Sequence, residues 1–281
     1  MWIPSACDII TGTIDNKERK EAIMISIHNY VCLKYKHYQA VLLVVLLVFL
    51  TLGAAWSQDP GNSASGKGGA VSSGDPDAVQ AGIGILEQGG NAADAAAATI
   101  LALAVTDFGR FAMGGEAPLI IYDASTQQAK VLSGVGRAPL SQSAINWYNV
   151  NGIPTNGDMK AAPTPGVVHM LMTLLEVYGT MSFERVVEPA LALLDEGGPS
   201  WYPRLAVTLR KMVTTERNTT GSREAKISAA RDRFYTGDIA EDLEAWYISK
   251  GGFLSKADLA AQELYLKVVF KGKAVYPPVD C

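Results

Sequence analysis

The sequence predicts an α/β (α+β) fold rich in helix, and three observations carry that reading. Residues 81–98 spell out two helices joined by a glycine pair. Two short apolar stretches, 119–122 and 130–132, flank a polar turn at 123–127, as in a hairpin. Downstream, glycines and Ser/Asp residues recur where helices begin and end.

Asp75 is placed to cap the first helix, and Pro76 suits its first turn. Val79, Ile83 and Leu86 recur at helical spacing and predict its buried face. Gly89 and Gly90 stop it. Asn91 caps the second helix, with Asp94 in the first turn, where negative charge suits the dipole. The alanines at 92–98 read as close packing, because Leu101 and Leu103 continue the run. Gly82-Ile83-Gly84 lacks the third glycine of a dinucleotide loop and lies inside a helix.

Further along, 152–163 reads as a loop. Thr164 is expected to cap a helix that Gly179 ends. Ser182 caps the next, which Pro189 should kink. Thr214-Thr215 and Thr219-Thr220 read as surface threonines in a polar loop. Asp232, Asp238, Glu241 and Asp242 read as a solvated helix start. Residues 239–249 form a helix closed by Gly251, and Ser255 with Asp258 is the capping pair of a short one. Strands are expected at 266–270 and 274–276, across a turn at Gly272.

The chain divides into an extension (1–39), a hydrophobic stretch (40–57), a Gly/Ser-rich linker (58–68) and a domain from 69 to 281. Residues 40–56 carry no charge over 17 positions, marginal for a membrane span, which needs roughly 20. Ala55-Trp56-Ser57 offers small residues where a signal peptidase reads. A cleaved secretory signal and an uncleaved signal anchor both stand; a core helix does not, since 41–50 has no polar face. Met24 is a cleaner start than Met1, since 24–39 has no acidic side chain. Either reading places the domain outside the cell: secreted, on the outer face of the plasma membrane, or periplasmic in a bacterium. Cleavage would leave Cys281 as the one cysteine of the mature part, with no intrachain disulfide. Asn218-Thr219-Thr220 is an acceptor for N-glycosylation. A net charge of −4 gives no basic footprint for nucleic acid. The whole chain is 48% hydrophobic, a figure the stretch at 40–57 raises, and the domain is long enough to build a real core.

The run from Ala81 to Ala98 also resembles the start of the mature large subunit of the γ-glutamyltransferases (glutathione hydrolases). Other segments follow in that family's order. They include Met113-Gly114-Gly115, Gly136-Arg137-Ala138-Pro139, Thr164-Pro165-Gly166, Tyr178-Gly179-Thr180-Met181-Ser182, Phe234-Tyr235-Thr236-Gly237-Asp238 and Asp258-Leu259-Ala260. The resemblance runs from about Gly69 to Pro278.

The resemblance implies part of a four-layer αββα N-terminal-nucleophile hydrolase. In that family a threonine exposed by self-cleavage attacks the γ-glutamyl amide, and its own amine serves as base. No metal or cofactor is implied. The substrate would be glutathione or another γ-glutamyl compound. The partner would be the small subunit of the same precursor, with the membrane a second contact if 40–56 stays uncleaved. No catalytic residue is expected within these 281 residues, because the family's nucleophile lies beyond the segment matched by Tyr276-Pro277-Pro278. The chain therefore reads as a truncated large subunit. An inactive fragment or binding pseudoenzyme, and a relative acting on another acyl amide, are the alternatives.

Arg137 is the one candidate substrate-binding residue, because a two-pronged guanidinium suits an α-carboxylate. The family's arginine commonly sits three residues before the Ala-Pro alanine, a position held here by Val135. A re-registered loop, an altered specificity and an exposed loop arginine all stay open. His169 reads as a structural helix residue.

Overall fold

The computed structural model describes residues 68–155 and 157–263, the backbone of 265–269, and four isolated helical positions, Met24, His28, Lys34 and Gln39. Two compact units divide at Ser65 and Gly66, and the second carries the architecture. The hydrophobic stretch at 40–56 and the expected strand at 274–276 lie outside the described residues. Among the described residues, no helix is long and apolar enough to cross a membrane.

Helix α1 (Pro76–Glu87) starts as expected: the Asp75 carboxylate accepts from the amides of Asp77 and Ala78 at 3.0 and 3.2 Å. It ends as expected too, with Gly89 at φ +89° and the Gly90 amide donating to the Ile85 carbonyl. The buried face is not the expected one. Ala78, Ala81, Gly82 and Ile85 face inward, while Val79, Ile83 and Leu86 are only half-buried. Proximity is the reason. A Cβ on Gly82 would lie 2.3 Å from Thr99 Oγ1 of α2 (Ala92–Thr106), so only small residues fit the seam.

Helix α2 is buried nearly all round. Asn91 and Asp94 form a reciprocal capping box. Asp94 does more than suit the dipole. Fully buried, it also accepts from Thr180 N, Thr180 Oγ1 and Met181 N.

A three-stranded antiparallel sheet follows, ordered β1-β2-β3 (Leu119–Asp123, Gln128–Ser133, Tyr265–Val269). Leu119 pairs with Leu132 and Ile121 with Lys130; Leu132 lies in the core, and Leu119 and Ile121 pack against it. On the opposite face, Ile120 and Tyr122 are 74% and 64% exposed. Helix α3 (Gln142–Asn151), a 3₁₀ turn (Met159–Ala161) inside the expected loop, and α4 (Val167–Tyr178) lead on from β2.

Thr164 does not cap α4; the N-cap is Gly166, without a side-chain bond. Distant groups take the donors instead. The Gly115 carbonyl accepts from Gly166 N and Val167 N, and the Tyr235 hydroxyl accepts from His169 N while donating to the Pro165 carbonyl. Thr164 is left fully buried, with its hydroxyl unpartnered among the described residues. An unmade buried hydroxyl bond costs about 1–3 kcal/mol. Thr164→Val, which keeps the shape, should therefore raise the denaturant midpoint, by about 1 kcal/mol in stability. A loss of stability would mean that the hydroxyl has a partner.

Ser182 caps α5 (Phe183–Asp195) as expected, and the helix runs on through Pro189. Its first two amides also donate to the buried Glu216 carboxylate, each at 2.7 Å. Of the two threonine pairs expected in a polar loop, Thr214-Thr215 is helical instead, while Thr219-Thr220 does lie in a short connection. Helix α6 (Tyr202–Asn218) contains Thr214 and Thr215, and α7 (Arg223–Thr236) follows Ser222. Tyr202, Ala206, Leu209, Val213 and Glu216 recur at helical spacing along the buried face of α6. Thr214 and Thr215 bond back to the carbonyls four residues earlier.

Helices α8 (Asp238–Ser249) and α9 (Lys256–Ala260) complete the helical layer. Gly251 ends α8, and Ser255 with Asp258 forms a capping box on α9. The acidic residues expected as a solvated start are mostly ion-paired: Asp238 with Arg233 and Lys211, Asp242 with Lys211, and Glu241 with Lys256. Asp232 belongs to the preceding helix.

Candidate functional site

The segment carrying Arg137 is fixed from two sides. On one side it crosses 163–166 at backbone contact, where Thr164 N donates to the Arg137 carbonyl at 2.9 Å. A Cβ on Gly136 would sit 1.8 Å from the Thr164 carbonyl oxygen, so glycine is required there. On the other side it is stitched to the end of α9. Arg137 N donates to Gln262 Oε1 (3.1 Å), Gln262 Nε2 donates to the Val135 carbonyl (3.2 Å), and Leu140 N donates to Asp258 Oδ1 (2.7 Å). Gln262 and Asp258 are buried. Neither role is written locally, because each bond spans more than a hundred residues. Asp258 is legible as a cap, whereas Gln262 carries no sequence signal.

The Arg137 side chain is 37% exposed. Its Nη1 donates to the Ala261 carbonyl at 3.0 Å and lies 3.9 Å from the Glu263 carboxylate. Val135, at the position where the family's arginine was expected, is 45% exposed with its backbone held. The two positions thus lie on one short, rigid segment. A guanidinium here has the donor set for a carboxylate.

The remaining expected residues lie elsewhere. Asn218 is exposed at the last position of α6. His169, in the first turn of α4, stacks edge-on against Tyr235, with centroids 5.5 Å apart, and its Nδ1 is 3.4 Å from Thr173 Oγ1. Burial, reinforced by the nearby Arg231 guanidinium, pushes the His169 imidazole down from 6.5 to about 4. It is neutral at pH 7 and packed, as the sequence suggested. A depressed histidine supports the fold fully above its unfolded value and loses that support as pH falls from 6.5 towards 4. Glu216 acts with opposite sign: burial raises its carboxyl, so protonation relieves a cost as pH falls. His169→Gln should accordingly flatten the loss of stability between pH 6.5 and 4. An unchanged pH profile of the denaturant midpoint would exclude the imidazole as its source.

Comparison with known proteins bears directly on this arrangement. Residues 78–212 match the family model described as gamma-glutamyltranspeptidase. That match and the relatives below support the gamma-glutamyltranspeptidase family for this part of the chain. The glutathione hydrolase proenzyme of Escherichia coli (strain K12) is 29% identical over 235 residues, covering 73% of this chain and 40% of that protein. Its counterpart in Bacillus subtilis (strain 168) is 29% identical over 224 residues, covering 69% and 38%. The chain thus spans about two-fifths of the length of these curated relatives. Among solved structures, Helicobacter pylori gamma-glutamyltranspeptidase superposes with a TM-score of 0.57 at 24% identity, covering 73% of this chain and 67% of that one. Cephalosporin acylase from Bacillus halodurans superposes with a TM-score of 0.56 at 25% identity, covering 75% and 46%. The fold is that of the gamma-glutamyltranspeptidases, an N-terminal-nucleophile hydrolase fold, here helix-rich with a small sheet.

Proposed function

We propose that this gamma-glutamyltranspeptidase-family chain supplies the carboxylate-binding side of a γ-glutamyl amide hydrolase or transferase. Glutathione or a similar γ-glutamyl compound is the substrate class. The nucleophilic threonine comes from sequence other than these 281 residues. The observation that carries the reading is the rigid segment 134–137, with a half-exposed guanidinium bonded through one nitrogen to Ala261. The uncovered apolar face of β1, with Ile120 and Tyr122, suits packing against a small subunit of the same precursor. Export, by a cleaved signal or an anchor at 40–56, and glycosylation at the exposed Asn218 belong to the same reading.

The test uses a γ-glutamyl anilide. The chain alone should release no product above a blank, since without the nucleophile the covalent route is absent. Turnover by the chain alone, abolished by a substitution within it, would sink the reading. With a relative's threonine-led subunit supplied, Arg137→Lys should lower kcat/KM by roughly 10- to 150-fold, because an ammonium cannot give two parallel bonds and charge-assisted bonds are worth about 1.5–3 kcal/mol. Val135→Arg in that background should recover part of the loss. Unchanged kinetics would return Arg137 to a purely structural role.

A second reading, a relative acting on another acyl amide, is favoured by the arginine's place at 137 instead of 135. Full activity on a non-glutamyl amide with none on the γ-glutamyl anilide would select it.

A further inference from the structure

We propose that the end of α9 presets Arg137 for a ligand carboxylate, and that Glu263 is the internal carboxylate that such a ligand displaces. This rests on Arg137 being the carboxylate grip.

Three consecutive residues at that end handle Arg137 in different ways. The Ala261 carbonyl takes Nη1 at 3.0 Å and so fixes the plane of the guanidinium. Gln262, buried, uses one amide on both flanks of Gly136: its Oε1 accepts from Arg137 N, and its Nε2 donates to the Val135 carbonyl. The same Nε2 also donates to the Glu263 carbonyl at 3.1 Å, which ties Glu263 to the loop that it faces. The Gly136 amide, lying between the two, goes to Glu116 Oε1 at 2.9 Å. The backbone around Arg137 is therefore committed, and a single guanidinium nitrogen is used.

Arginine carries five N–H donors in a planar fork. Among the described residues, Nε and Nη2 of Arg137 have no partner, and these two form the edge that a carboxylate accepts side by side. Glu263 holds the charge without occupying that edge. Its carboxylate is 3.9 Å from Nη1, beyond hydrogen-bond reach, and its side chain is 72% exposed. Such a pair is weak and screened. It keeps the guanidinium from standing beside an unneutralised surface and gives way readily to an anion with better geometry.

The experiment uses the full 281-residue chain. Its probes are L-glutamate and isoglutamine, in which the α-carboxylate is an amide. Binding is followed by calorimetry and by the Arg137 Nε–H resonance. The wild type should prefer glutamate, and Arg137→Lys should abolish the preference. Glu263→Gln should tighten glutamate about two- to fivefold, the worth of an exposed ion pair, and leave isoglutamine unchanged. Gln262→Ala should weaken glutamate by about tenfold, the worth of one net hydrogen bond at the upper end, with less effect on isoglutamine. No preference in the wild type, or one that survives Arg137→Lys, removes the grip and the proposal with it. A preference that depends on Arg137 but is untouched by Glu263→Gln or by Gln262→Ala leaves the grip standing and overturns the proposal alone. Glu263 is exposed, so its variant reports even where Gln262→Ala fails to fold.

Discussion

Asp94→Asn should cost about 3 kcal/mol or more of folding free energy, since a hydrogen bond to a charged acceptor is worth about 1.5–3 kcal/mol and more than one of its neutral donors would lose that acceptor. The Asp94 carboxylate is fully buried and accepts from Asn91 N, Thr180 N, Thr180 Oγ1 and Met181 N, at 2.7–3.2 Å. It thereby joins the start of α2 to the turn between α4 and α5. An amide in its place would turn N–H groups towards donors. The neighbourhood offers no room for adjustment, since even a Cβ on Gly179 would lie 2.6 Å from Asp94 Oδ1. Urea unfolding of Asp94→Asn beside Asp77→Asn, an exposed first-turn carboxylate, checks this. The second should lose only about 0.3–1 kcal/mol. Equal losses would mean that dipole compensation, and not the clamp, is what Asp94 provides.

Gly136→Ala should destabilise by about 3 kcal/mol or more, the upper range for overpacking. The added Cβ would meet the Thr164 carbonyl oxygen at 1.8 Å and the carbonyl carbon at 2.9 Å. Both are backbone atoms, and Thr164 N is already bonded to the Arg137 carbonyl, so neither segment can retreat without losing that bond. Gly84→Ala is the contrast. Nothing lies within 4 Å of its Cβ position, and an alanine in a helix interior should stabilise by roughly 0.5–1 kcal/mol. If Gly136→Ala melts like the wild type, the crossing of 134–137 over 163–166 is looser than described, and Arg137 is not rigidly presented.

The helix termini were the most legible part of the chain. Asp75, Asn91, Ser182 and Ser255 all cap the helices that they precede, because a cap is a bond across two or three residues and needs no tertiary partner. The same local logic fails at Thr164, where Pro165 and Gly166 look like a helix start but Gly115 and Tyr235 take the amides. Helices α6 and α7 were hidden by their polar composition. Their apolar period was present, but the threonines that suggested a loop satisfy their hydroxyls inside the helix.

What the sequence determined by itself was the caps at Asp75, Asn91, Ser182 and Ser255, the hairpin and the resemblance to the family, all of which rest on short-range pattern or on an ordered set of motifs. Tertiary structure alone decided which face of α1 is buried, because Thr99 of α2 leaves room there only for small residues. It alone decided what holds Arg137 as well. The bonds from Gln262 and Asp258 close over more than a hundred residues, and a contact of that range leaves no periodicity in the chain for a sequence to display.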